Sequence, residues 1–240
     1  MQSWTIGLLA GATLAAAALA GAIAFGGPGQ PPPMPAINDP FRAVDWSGLP
    51  APRFLTARDG TRLAFRFYPA DGPAAKGSVV LVHGSSGRSN SMHVLARALA
   101  QAGWQAYALD MRGHGDSGRR GHIAYVGPLD DDLEDFMRAE RPRAPATLLG
   151  FSSGGGFALR VAGSPRQELF AHYLLLSPFL GQDAPTYRPD SGGWVSVGVP
   201  RIVGLVVLNA IGVRGLNELP VTHFALDAQL WPLLQKAVAP

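Results

Sequence analysis

The fold of this chain is decided by the stretch Ala146-Thr-Leu-Leu-Gly-Phe-Ser-Ser-Gly-Gly-Gly156. It begins as a short apolar strand, and a helix is predicted to follow over 157–162. Between the two stands Gly150-x-Ser152-x-Gly154, whose glycines are needed because so short a strand-to-helix reversal leaves no room for side chains beside the serine. Such a turn lifts the Ser152 hydroxyl clear of the sheet and directs the first N–H groups of the helix toward it.

Strands and helices alternate on both sides of this turn. The predicted elements are hairpin strands 54–57 and 62–68, further strands 77–83, 106–109 and 171–176, and helices 89–101 and 128–139. The strand 77–83 is a continuous apolar run, which is typical of a strand buried on both faces of a sheet. The alternation predicts an α/β fold with a mostly parallel sheet, flanking helices and right-handed crossovers.

A second glycine-rich turn, His83-Gly84-Ser85-Ser86-Gly87, ends an earlier buried strand. We expect it to supply one donor of an oxyanion hole, so that the two donors are the backbone N–H groups of Ser85 and Ser153. His83 itself is interpreted as a hydrogen-bonded loop histidine.

Three motifs occur in a fixed order: His83-Gly84, then Asp110-Met-Arg-Gly-His-Gly-Asp-Ser117, then Gly150-Phe-Ser-Ser-Gly154. Over residues 54–180 the chain resembles the α/β-hydrolase superfamily, in particular its monoacylglycerol lipase, lysophospholipase and serine aminopeptidase-like branch. The resemblance implies that Ser152 is the nucleophile and that Ser85 and Ser153 supply the oxyanion hole. It also implies that Asp110, Arg112 and His114 are loop scaffold.

The general base is harder to identify, because the family order is serine, then acid, then histidine. Only His172 and His223 follow Ser152. His172 begins a predicted strand at the end away from the serine and is interpreted as structural. His223 lies in the strand-like stretch 219–226, whereas a base normally stands on a loop.

Candidate acids are Asp183, Asp190 and Asp227, none of which is followed by a histidine on a recognisable loop. Three explanations stay open. The chain is a truncated product, or a divergent enzyme that uses His223, or a non-catalytic relative that kept the serine turn.

The N-terminal stretch 4–25 has no charged residue and as a helix is about 33 Å long, enough to cross a bilayer. It predicts a membrane anchor with the folded part outside the cytoplasm, or else a secretory signal that is cleaved. The partition that follows is an anchor or signal at 1–26, a Pro/Gly-rich linker at 27–53, the hydrolase core at 54–180 and a cap-like segment at 181–240. The cap-like segment is very apolar between 192 and 215.

Composition excludes several classes. The chain has 240 residues, 47% hydrophobic and 15% charged, with no cysteine, which rules out disulfide scaffolds and thiolate metal sites. Its net charge of +3 is scattered, so no nucleic-acid partner is expected. The acidic run 130–132 is interpreted as helix capping on a solvated face, and no metal or organic cofactor is implied.

Together these observations predict a membrane-anchored serine hydrolase that cleaves lipid-like carboxylic esters through an acyl-enzyme on Ser152. Two alternatives remain: a non-catalytic protein of this fold that binds an apolar ligand, and a peptidase of the same superfamily.

Overall fold

A computed structural model of the protein describes residues 2–32, 43–72, 74–123, 127–181, 184–185 and 193–225. These residues form two compact units, a larger one within 43–185 and a smaller one that joins 2–32 with 193–225. The apolar N-terminal segment and residues 193–225 therefore belong to one unit.

The secondary structure of the described residues is listed here in chain order. The helices are α1 (Gln2–Phe25), α2 (His93–Gln101), α3 (Pro128–Glu140), α4 (Ser153–Ala162) and α5 (Val199–Ala210). The strands are β1 (Arg53–Thr56), β2 (Arg62–Tyr68), β3 (Ser78–Val82), β4 (Gln105–Leu109), β5 (Ala146–Phe151), β6 (His172–Leu176), β7 (Val195–Val197) and β8 (Thr222–Phe224).

The larger unit is built on a six-stranded sheet of order β1-β2-β4-β3-β5-β6. The first three strands pair antiparallel, and β4, β3, β5 and β6 are parallel to one another. This is the sheet of an α/β-hydrolase, and the predicted fold class is confirmed.

Helices cover both faces of the sheet, which explains why its central strands are apolar throughout. Val79 and Leu81 of β3 point to the face covered by α2. Val80 and Val82 point to the opposite face, where they pack with residues of α3 and α4. Alternate residues of one strand thus serve two hydrophobic cores.

Helix α2 is shorter than predicted. Residues Ser89–Met92 form a 3₁₀ turn, and the α-helix begins only at His93. Helix α4 is longer than predicted, because it starts at Ser153 and takes in the glycines that were assigned to the turn. A reversal at a single residue requires the helix to begin directly after it.

The acidic run in the first half of α3 is not a solvated face, and that interpretation is wrong for two of its members. Asp130 and Asp132 are buried and pair with arginines from other elements. Arg160 lies 2.7 Å from Asp130, and Arg112 lies 2.6 Å from Asp132. The carboxylates tolerate burial because each one has a guanidinium partner.

The smaller unit contains α1, α5 and the antiparallel pair β7–β8. Its helix α1 is long and apolar enough to cross a bilayer; none of residues Ile6–Phe25 is buried, and only Leu19 and residues 21–23 among them are partly covered. Helix α5 is also apolar but is too short to span a membrane.

Candidate active site

Ser152 forms the whole of the turn between β5 and α4. Its backbone angles are φ 54° and ψ −119°, a region that residues with a side chain rarely adopt. Two hydrogen bonds hold it there: the Ser152 N–H donates to the carbonyl of Leu176 at 3.0 Å, and the Phe179 N–H donates to the carbonyl of Ser152 at 2.9 Å. The serine side chain is only partly covered.

The glycines two residues before and after Ser152 are required by close backbone contacts. A β-carbon on Gly150 would lie 2.0 Å from the carbonyl oxygen of Gly154. A β-carbon on Gly154 would lie 2.5 Å from the carbonyl oxygens of Val82 and His83. The spacing of the motif is therefore a steric requirement of this turn.

The end of β3 brings the second glycine-rich turn next to the serine. Val82 is paired with Gly150 in the sheet, so the residues that follow each of them meet at one edge. A β-carbon on Gly84 would lie 3.0 Å from the β-carbon of Ser152. Ser85 follows directly and is exposed.

Ser153 is the first residue of α4, and the first N–H groups of a helix have no acceptor within it. The N–H groups of Gly155 and Gly156 donate to the Ser152 carbonyl at 2.9 and 3.2 Å. The first turn of the helix is thereby held against the serine that precedes it.

His83 is fully engaged in hydrogen bonds. The Met111 N–H donates to its Nε2 at 3.1 Å, which leaves the proton on Nδ1, and Nδ1 lies 2.8 Å from the carbonyl oxygen of Gly84. Burial lowers the pKa of His83 to about 4. With both nitrogens occupied, His83 is the hydrogen-bonded loop histidine that the sequence predicts.

The loop after β4 is a scaffold for the neighbouring turns. The Asp110 carboxylate accepts the N–H of Ser89 and, at 2.8 Å, the N–H of Asp116. Arg112 is buried and bonds to Asp59 at 2.7 Å as well as to Asp132. These contacts agree with the scaffold role that the resemblance implies.

The segment Ser177–Phe179 packs against the start of α4, a contact that was not predicted from the sequence. A β-carbon on Gly155 would lie 2.8 Å from Cβ of Pro178, and one on Gly156 would lie 2.3 Å from the carbonyl oxygen of Phe179. The signal was present in the sequence, because the motif needs one glycine after the serine and the chain has three in a row.

The candidate base and acids are distributed as follows. His172 begins β6, at the opposite end from the Leu176 carbonyl that holds Ser152. His223 is in β8 of the smaller unit, paired with Ser196, and its buried Nδ1 has no hydrogen-bond partner among the described residues. The candidate acids Asp183, Asp190 and Asp227 lie outside the described residues.

The sheet order and the strained serine turn define an α/β-hydrolase. A family model described as serine aminopeptidase, S33, matches residues 73–210, more than half of the chain. The chain belongs to this family of hydrolases.

Individual relatives place it near the monoacylglycerol lipases. The chain is 35% identical over 103 residues to monoacylglycerol lipase of Mycolicibacterium smegmatis, covering 40% of this chain and 36% of that protein. It is 29% identical over 183 residues to monoglyceride lipase of Homo sapiens, covering 73% of this chain and 57% of that protein. The matched part is therefore a little over half of the human relative and about a third of the bacterial one. The predicted resemblance is confirmed.

Among solved structures, a soluble variant of monoglyceride lipase from Saccharomyces cerevisiae in complex with a substrate analog matches with a TM-score of 0.49 and 23% identity. The match covers 57% of this chain and 47% of that one.

Proposed function

We propose that this chain is a serine hydrolase that cleaves lipid-like carboxylic esters, with Ser152 as its nucleophile. The observation that carries the proposal is the turn at Ser152, where a partly buried serine is held at φ 54° between a buried strand and a helix N-terminus. Strain of this kind costs about 1–3 kcal/mol and persists where the surrounding structure enforces it. Here Leu176, Phe179 and two glycine contacts enforce it.

The proposed reaction follows from that position. Ser152 Oγ attacks the ester carbonyl carbon, its proton passes to a general base, and the alcohol departs with that proton. The acyl group remains on Oγ until water releases it as a carboxylic acid. The backbone N–H groups of Ser85 and Ser153 are the proposed donors to the carbonyl oxygen while it carries negative charge.

Lipid-like esters are favoured as substrates for two reasons. The relatives named above are lipases of monoacylglycerol or monoglyceride. The chain also carries α1, an apolar helix of membrane-spanning length, and we propose that α1 anchors the protein with its folded part outside the cytoplasm. An anchored enzyme meets substrates that are dissolved in the membrane.

A non-catalytic role is the second candidate, and the position of the histidines favours it. Of the two that follow Ser152 in this sequence, His172 is at the end of its strand away from Ser152, and His223 lies within strand β8, whereas a base normally stands on a loop. A serine without a base is a poor nucleophile. In that case the protein binds an apolar ligand without turnover.

The test is labelling of the full chain in detergent micelles with a fluorophosphonate probe. Ser152→Ala should abolish labelling, whereas the matched control Ser153→Ala should keep it, since Ser153 contributes only its backbone N–H. A folded wild-type chain that is not labelled would favour the non-catalytic role. Equal labelling of Ser152→Ala and wild type would exclude Ser152 as the nucleophile.

His223 is tested in the same assay. If it is the base, His223→Gln should slow labelling by about 100-fold or more, the usual contribution of a general base. An unchanged rate would remove it from the mechanism. Comparing a monoacylglycerol with an aminoacyl anilide then separates the lipase from the peptidase alternative.

A further inference from the structure

Arg201, near the start of α5, forms hydrogen bonds to the end of helix α1. The Arg201 Nε donates to the carbonyl of Ile23 at 2.8 Å, and its Nη2 donates to the carbonyl of Ala24 at 3.1 Å. These carbonyls belong to the last turn of α1, where no N–H of the helix is available to them. The positive charge also lies at the negative end of the helix dipole. Arg201 therefore caps α1 with a side chain from α5.

The same arginine fixes the chain that returns from α5. Its Nη1 donates to the carbonyl of Pro220 at 2.8 Å, two residues before β8. The Arg201 backbone N–H donates to the carbonyl of Gly26 at 3.2 Å. The end of α1, the start of α5 and the approach to β8 are thus held at one point.

A close helix crossing lies one turn further along α5. A β-carbon on Gly204 would be 2.8 Å from Cγ1 of Ile23 and 3.5 Å from Cδ1 of Leu19. Small residues at helix crossings are typical of membrane helices, whose backbones approach closely. Helix α5 therefore crosses the last two turns of α1.

The opposite face of α5 is apolar and is left uncovered by the part of the chain that the structure describes. Val199, Val203, Val206 and Val207 recur at helical spacing and are exposed, and Ile211 beyond them is 69% exposed. No charge occurs between Arg201 and Arg214. The helix is apolar both toward α1 and away from it, which in water would leave a valine stripe without a partner.

The polar group within this segment is satisfied internally. The Asn209 amide donates to the Leu205 carbonyl at 2.8 Å and to the Asn217 side chain at 2.9 Å, and Asn217 donates back to Asn209 at 3.0 Å. Such closed pairing is what a segment in contact with lipid requires, because no water is available there.

We propose that α1 and α5 form a joint membrane-binding element, in which the valine stripe of α5 faces the acyl chains of the leaflet where α1 ends. Twelve helical residues measure about 18 Å, too short to span a bilayer but suited to lying within one interface. Arg201, near the start of the stripe, and Arg214, beyond its end, then lie at the level of the head groups. The element requires α1 to remain part of the mature protein. The inference rests on the proposed anchoring by α1.

Depth-dependent fluorescence quenching tests this arrangement, since the natural chain has no cysteine. Single variants Val206→Cys, Leu14→Cys and Val94→Cys of the full chain, each carrying an NBD fluorophore, are reconstituted in phosphatidylcholine vesicles. Nitroxides on the lipids lie either near the head group or near the bilayer centre. We expect the head-group nitroxide to quench Val206 most strongly and the central nitroxide to quench Leu14 most strongly. Val94, exposed on α2, should be quenched only by iodide in water.

The outcomes separate the inference from the anchoring. A Val206 probe that behaves like Val94 while Leu14 stays quenched overturns the joint element and leaves the anchor. A Leu14 probe that behaves like Val94 overturns both. A Val206 probe shielded from iodide but not quenched by lipid indicates a protein contact, such as a second copy, and also overturns the inference.

Two variants test the contacts of Gly204 and Arg201 with α1. Gly204→Leu should push α5 off α1 and reduce lipid quenching at Val206 at least twofold, with Leu14 unchanged. The matched control Gly11→Leu should change neither probe, since a β-carbon there meets nothing within 4 Å. Arg201→Gln removes the cap without adding bulk and should act in the same direction. Unchanged quenching in both α5 variants would overturn the roles given to Arg201 and Gly204.

Discussion

Gly154 lies so close to Val82 that a β-carbon on the glycine would be 2.5 Å from the valine carbonyl oxygen. The strand β3 and the helix α4 are in contact through their backbones at this point. The serine turn can close only because no side chain separates them, so the position of Ser152 depends on a residue with no functional group of its own.

Replacing that glycine should damage both stability and reactivity. We expect Gly154→Ala to lower the free energy of unfolding by about 1–3 kcal/mol, the range for overpacking a close contact. Labelling of Ser152 by a fluorophosphonate should slow in parallel. The matched control is Gly163→Ala at the other end of α4, where the nearest atom to a β-carbon is 3.7 Å away. A variant at 154 that melts and reacts like wild type would contradict the steric argument.

Arg112 should be among the most sensitive charged residues. It is buried between Asp132 and Asp59, and its hydrogen bonds hold the pKa of Asp59 well below its usual range. Arg112→Met leaves the Asp132 carboxylate buried without its partner, which should cost about 3–5 kcal/mol in unfolding free energy. Thermal unfolding of the full chain in detergent measures the loss.

A surface arginine on α3, the helix that carries Asp132, gives the comparison for that experiment. Arg138 pairs with Asp135 but its side chain is 64% exposed. Arg138→Met should cost no more than about 1 kcal/mol, because Arg138 is exposed and the buried Asp135 keeps its hydrogen bonds to Arg58. Equal losses at the two arginines would show that burial does not set the strength of this network.

The buried His83 should make the protein sensitive to acid. Its pKa is about 4 in the folded chain, against 6.5 for an unperturbed histidine. Between these values the unfolded chain binds a proton that the folded chain does not, so stability falls as pH drops from about 6.5 to about 4. The loss from this one group is about 3 kcal/mol.

The measurement is the unfolding midpoint as a function of pH for wild type and His83→Gln. Glutamine offers the Met111 N–H an acceptor but does not titrate. The variant should be less stable near neutral pH and should show a flatter dependence over this range. Parallel curves for the two proteins would mean that other groups cause the acid sensitivity.

The sequence predicts the centre of this structure well because local rules govern it. A strand such as β3, buried on both faces, must be apolar throughout, and a one-residue reversal at Ser152 must be flanked by glycine. Both patterns lie within a few residues of the structural feature that they predict, and the structure has both features.

Contacts between distant residues escaped the same reasoning. Arg201 and Ile23 are 178 positions apart, and no local sequence pattern predicts the hydrogen bond between them. Asp132 was expected on a solvated surface because nothing near it in the chain indicates Arg112. Both contacts depend on side chains that are distant in sequence, and hydrophobic periodicity gives no information about such contacts.

The exposed apolar side chains of strand β6 affect how the protein behaves in aqueous solution. Within the described residues β6 pairs only with β5. Its own Leu174 and Leu176 are exposed, and so are the neighbouring Phe151 and Phe179. An open, apolar sheet edge invites self-association. Deleting α1 would leave these exposed apolar side chains of the larger unit in place, so sedimentation of the chain with a membrane fraction would not by itself prove anchoring by α1. The exposed apolar side chains of the larger unit would also favour association out of water.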